Sequence, residues 1–66
     1  METIPEPILQ FFAYEHLPAG LQEVSRPFCD LARNVVATLP RNPERTAALR
    51  KLLESKDAAV RASLGR

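Results

Sequence analysis

RNPERTAALRKLLESKDAAVRASLGR, Arg41 to Arg66, is the stretch whose reading decides the fold. Asn42 suits an N-cap, because its side-chain oxygen can accept from the free N–H groups of a first turn. Pro43 follows at the first helical position, where a missing N–H costs nothing. Glu44 then sets a carboxylate at the positive end of the dipole, and Gly65 offers a place to stop. Leu49, Leu52, Leu53 and Val60 recur at helical spacing. At about 100° per residue from Arg45, these four lie within roughly 50° of a centre near 30°. Arg45 and Lys56 fall inside the same stripe, so the expected buried face of this helix carries two cations.

Working outward, Leu39-Pro40-Arg41-Asn42-Pro43 reads as a turn: Pro40 ends one helix and Asn42-Pro43 starts the next. So short a link between long helices turns them back antiparallel, as an αα-hairpin. The preceding helix is expected over Pro18 to Leu39. Leu21, Val24, Phe28, Leu31, Ala32, Val35, Val36 and Leu39 form its apolar stripe, with Gln22, Arg26, Asp30 and Arg33 opposite. Pro27 interrupts the pattern, so the sequence predicts a break near Val24, with a kink or a restart capped by Ser25. Cys29, at the stripe's edge, reads as a small packing residue.

Residues 1–17 read as an N-terminal extended arm ahead of a hairpin domain spanning 18–66. Pro5 and Pro7 favour an extended start. Within Ile8 to Tyr14, Phe11 or Phe12 caps the helices, the arm serves as an aromatic platform, or both hold together. In an extended chain Phe12, Tyr14 and His16 alternate onto one side, where aromatic faces stack nucleobases.

Composition narrows the classes. With 66 residues the chain is one domain, short enough to need a disulfide, a metal or a partner for stability. A single cysteine excludes an internal disulfide and suits a reducing compartment; a single histidine leaves no zinc site within one chain. Association is the remaining route. No apolar run spans a membrane and the N-terminus does not read as a signal peptide. The net charge of +1 divides unevenly: two cations against five acids up to Pro40, seven against three from Arg41 onward. Opposite halves attract, within a hairpin or between copies. No contiguous basic patch points to duplex nucleic acid, and no paired carboxylates, nucleophile triad or phosphate-cradling glycine loop points to an enzyme.

The charges on the last helix sort by face. Arg50, Glu54, Asp57 and Arg61 point outward and offer the i,i+4 pairs Arg50–Glu54 and Asp57–Arg61. Arg45 and Lys56 point inward. Either Arg45 pairs with Asp30 or Glu44 near the turn and Lys56 lays its stem over apolar surface, or both line a cleft for an anion. Phosphate is the natural anion, since arginine offers a planar fork and lysine a point charge.

HLPAGLQEVSRPFCDLA, LPRNPER and TAALRKLLESKDAAVRA together resemble the hairpin domain of small phage anti-defence proteins, over roughly His16 to Ser63. That family contains the anti-CBASS cyclic-oligonucleotide sponges and related Thoeris anti-defence sponges. The resemblance implies an all-α, compact helical homo-oligomer, a hexamer, acting in the cytoplasm of the infected bacterial host. It implies sequestration of cyclic nucleotide second messengers, cyclic di- and trinucleotides among them, without cleavage and without a cofactor. Arg45 then corresponds to a helix arginine used on phosphate, and Tyr14 to an aromatic stacked on a base; the pocket lysine of some members has no counterpart here, and Lys56 and Arg26 are substitutes for it rather than matches. The candidate ligand set is Phe12, Tyr14, His16, Ser25, Arg26, Arg45 and Lys56. The alternative from the apolar stripes is a small helical adaptor or structural phage protein that docks a protein partner.

Overall fold

A computed structural model describes residues 6–65, and all its regular structure is helical. A 3-10 helix, Pro7–Phe12, leads into α1, Ala19–Thr38, and α2, Pro43–Ser63. Within this region the arm is therefore wound, not extended. Pro7 prevents extension of the ladder backwards but suits a first turn, and bonds three residues apart close it: Leu9 N–H donates to Glu6 C=O at 3.0 Å and Ala13 N–H to Gln10 C=O at 3.3 Å. Pro5 lies outside the described residues.

The two long helices pack against each other as an antiparallel hairpin. Arg45, at the start of α2, reaches carbonyls at the end of α1, and the arm ahead of α1 lies beside Lys56 and Val60 near the end of α2. Thr38 closes α1 by donating its hydroxyl to Asn34 C=O at 2.8 Å. Leu39 then turns extended (φ −107°, ψ 146°), the conformation that a following proline imposes. Asn42 caps α2, its Oδ1 accepting from Arg45 N–H at 2.8 Å, with Pro43 in the first turn. At the far end Gly65 takes φ +76°, and its N–H donates to Ala62 C=O at 3.0 Å.

Pro27 does not break α1. The helix runs through it, and Ser25, expected to cap a restart, is a buried interior residue. Proline removes the N–H that would have bonded Glu23 C=O. Both Pro27 and Glu23 are exposed, so water can satisfy that carbonyl, and the proline is tolerated.

The core is thin. Phe12, Cys29, Ala32 and Leu49 are its buried apolar residues, flanked by partly buried neighbours including Ile8, Tyr14, Phe28, Val35, Leu52 and Leu53. Phe12 thus performs the capping role, wedged where α1 presents the small side chains of Cys29 and Ala32 and α2 presents Leu49. Leu31 and Leu39, assigned to the buried stripe by spacing, are about half exposed, as are Phe11 and Leu64. Gln22, assigned to the polar face, turns back instead: its amide donates to Leu17 C=O at 2.7 Å and Glu15 C=O at 3.3 Å, tying the arm's end to α1.

Candidate functional site

Three places gather the polar and aromatic groups of interest. The first is a cleft of about 390 Å³ between the arm and the C-terminal half of α2, lined by Gln10, Phe11, Ala13, His16, Leu17, Lys56, Asp57, Val60 and Arg61. Leu17 and Val60 give it apolar lining, and Lys56, Arg61 and His16 give it basic and titratable groups. Lys56 is directed inward, as its spacing requires: its side chain is only 13% exposed. Its ammonium meets Asp57 Oδ1 at 3.0 Å, so Asp57 pairs with Lys56 and not with Arg61 as the i,i+4 rule suggested. The ring of Phe11 is left exposed over this region.

The second place is the loop after the 3-10 helix. The guanidinium carbon of Arg26 lies 5.6 Å from the centroid of the Tyr14 ring, within cation–π reach. Tyr14 N–H donates to Glu15 Oε2 at 3.2 Å. The exposed Glu15 carboxylate is held below the ordinary glutamate value by its own backbone N–H first, then by that of Tyr14, with the charges of Arg33 and His16 adding to them.

The third place is the hairpin's turn end. Arg45 is 7% exposed, and its neighbour there is Glu6 of the arm, not Asp30 or Glu44. Its Nη2 donates to Glu6 Oε1, while Nη1 donates to Val36 C=O at 3.2 Å and Leu39 C=O at 3.4 Å. The latter two are carbonyls of the α1 terminus, where the intrahelical ladder has run out of donors. Arg41 Nη2 meets the same Glu6 oxygen at 3.0 Å.

The fold therefore separates the residues that sequence reasoning grouped. His16 and Lys56 share the cleft, and Tyr14 of the loop meets Arg26 of α1. Arg45 lies eleven residues from Lys56, about 16 Å along α2 at 1.5 Å per residue. Phe12 and Ser25, both 0% exposed, offer no surface to a ligand of this chain. With Phe12 inward and the arm wound, the row of Phe12, Tyr14 and His16 does not form. Gln10, Phe11 and Arg61 were missed as cleft residues. Arg61 sits on the outward flank of α2 by helical arithmetic, and only the arm folding beside that flank turns it into a cleft wall.

Among the described residues, no group of three or more His, Cys, Asp or Glu is placed to hold a metal ion, and no helix is long and apolar enough to cross a membrane. No family model, curated protein or solved structure matches the chain.

Proposed function

We propose that the chain is a sponge for cyclic oligonucleotide messengers, built as a homo-oligomer and holding its ligand without chemistry. The observation that carries this reading is the cleft whose lining joins Lys56, Arg61 and His16 to the exposed Phe11 and the apolar Leu17 and Val60. Its volume falls in the range of small-molecule sites, and a cyclic dinucleotide presents both phosphates for the cations and π-faces for the ring. Tyr14 on the loop after the 3-10 helix and Arg26 on α1 add a second aromatic–cation couple. The resemblance of His16 to Ser63 to the anti-CBASS sponges supports the same ligand class. The half-exposed Phe11, Leu31, Leu39 and Leu64 support assembly, because a partner copy would cover them and could close the cleft. On this reading the protein acts in the infected host's cytoplasm by antagonising CBASS-type immunity.

Calorimetry with cyclic di- and trinucleotides at two salt concentrations tests the proposal. Wild type binds, and heating the complex releases the nucleotide intact; a linear product would instead mean an enzyme. Lys56→Ala and Arg61→Ala weaken binding and flatten its salt dependence, since phosphate contacts are screened. Tyr14→Ala weakens it by about 1–3 kcal/mol with the salt slope nearly unchanged. Wild type that gives no heat with these ligands or with cyclic ADP-ribose isomers would favour the adaptor, whose apolar faces dock a protein.

A further inference from the structure

We infer that the Lys56–Asp57 pair is the base reader of the cleft, and that the base it selects is guanine. The inference rests on the nucleotide-binding reading of that cleft and adds to it which base is held, and by which atoms. It gives Asp57 a part in recognition, where helical spacing alone places that residue on a solvated face.

The ground is a carboxylate that phosphate binding does not explain. Asp57 lines the cleft, and its Oδ1 meets the Lys56 ammonium at 3.0 Å. For a ligand held by its phosphates alone this is a handicap, since Asp57 repels the anion and offsets Lys56. The Lys56 side chain is 13% exposed and that of Asp57 48%, so the ammonium is held in place and the carboxylate stays within reach of a ligand. An ammonium has three donors, and a carboxylate has two oxygens that accept on both sides. Their contact with each other therefore leaves most of both groups free.

Side by side, the pair presents a donor followed by two acceptors, the order in which cytosine meets guanine. Guanine's Watson–Crick edge supplies the complement: O6 accepts from Lys56 Nζ, while N1–H and N2–H donate to the two Asp57 oxygens. Adenine's edge has one donor and one acceptor, so it leaves an Asp57 oxygen without a partner. Cytosine and uracil likewise lack two adjacent donors. Phe11, exposed in the lining of the same cleft, gives the base a face to stack on. Arg61 lies one turn beyond Asp57 and makes no ion pair among the described residues. It remains for the phosphate, together with the third N–H of Lys56.

Calorimetry on the full chain with the 5′-monophosphates of guanosine, inosine and adenosine, at constant ionic strength, tests the inference. The three share ribose and phosphate, and inosine keeps O6 and N1–H but lacks the N2 amino group. Wild type binds GMP about tenfold more tightly than AMP, with IMP between them. Cyclic di-GMP is likewise preferred to cyclic di-AMP. Asp57→Asn removes an acceptor and also the charge that offsets Lys56. GMP then loses its advantage over AMP, whereas ribose 5-phosphate, which has no base, is bound more tightly than by wild type. Movement in opposite directions separates a reading role from a loss of structure. Glu54→Gln, the same charge change on an exposed residue outside the cleft lining, leaves the preference as it was. Equal affinity of wild type for GMP and AMP, or for GMP and IMP, overturns the inference and leaves the sponge reading standing; this comparison needs no variant. A guanine preference that survives Asp57→Asn in a helical protein also overturns it, by placing the reader elsewhere. Wild type that binds no nucleotide, cyclic or linear, removes the inference and the sponge reading together.

Discussion

Replacing Arg45 by alanine should destabilise the fold by about 3 kcal/mol, before any ligand is considered. Three groups lose their partner at once. Glu6 loses a charge-assisted hydrogen bond, worth about 1.5–3 kcal/mol, although Arg41 at 3.0 Å keeps that carboxylate from being left alone. The Val36 and Leu39 carbonyls lose their donor. Leu39 is half exposed, so water can replace the guanidinium there, and the two bonds together are worth about 1 kcal/mol. The arginine stem, in a side chain only 7% exposed, also gives up its packing. The Asn42 cap survives, because it accepts from the backbone N–H of residue 45, which alanine retains. Denaturant unfolding followed by far-UV circular dichroism, at one fixed protein concentration, measures the loss. In a domain of this size a 3 kcal/mol deficit lowers Tm by more than about 10 °C. A Glu6→Gln/Arg45→Ala cycle should return a coupling of about 1–3 kcal/mol between the two positions. A loss below about 1 kcal/mol with no coupling would refute the idea that Arg45 clamps arm, turn and helix end together. Arg45→Ala is accordingly a poor test of ligand contact, since its effect on binding passes through the fold.

Ser25→Ala should leave stability unchanged or raise it by up to about 1 kcal/mol in the same unfolding assay, because the buried Oγ has no hydrogen-bond partner to lose. Phe12→Ala should cost about 3–5 kcal/mol and leave the chain largely unfolded by circular dichroism, since among the described residues of the arm this ring alone is fully buried. Leu31→Lys should dissolve any assembly seen by light scattering while keeping helical content, given that about half of Leu31 is exposed on a single chain. The Glu15 carboxyl should titrate below the ordinary glutamate value in a carbon-detected NMR series. Because its folded pKa is depressed, its contribution to stability is present above the unfolded value and is lost as pH falls through the folded one.

The second helix was legible because every signal in it agreed: cap, proline, first-turn acid, apolar spacing and terminal glycine. Leu49 and Arg45 are buried where about 100° per residue puts them. The first helix was only partly legible. Pro27 argues for a break from local chemistry alone, and the argument fails because the orphaned carbonyl lies on the exposed face. The arm was least legible, since ILQFFA has no period that separates a wound from an extended form. Its conformation is settled by tertiary contacts, Phe12 entering the core and Glu6 reaching the arginines. Glu6 as the partner of Arg45 is thirty-nine residues distant, and no local spacing rule can find such a pair.

The cleft was hidden for the same reason. Sequence reasoning sorts charges by the face of one helix, but a cleft is made by two elements. Arg61 and Asp57 belong to the outward flank of α2 until the arm is laid beside it, and then they wall the cleft with Lys56. That dependence has a consequence for the site's behaviour. Among the described residues the arm is held to the helices by Phe12 with its neighbours Ile8, Leu9 and Tyr14, by Glu6 on one side and by the Gln22 amide on the other. Weakening either end contact should loosen the cleft wall without unfolding α1 and α2, which keep their own packing through Leu49, Cys29 and Ala32. Gln22→Ala should therefore raise amide exchange in the arm and reduce ligand affinity at the cleft, while leaving exchange near Leu49 as it was. Equal acceleration at both places would mean that arm and hairpin open as one unit, and the cleft could not then be tuned apart from the fold.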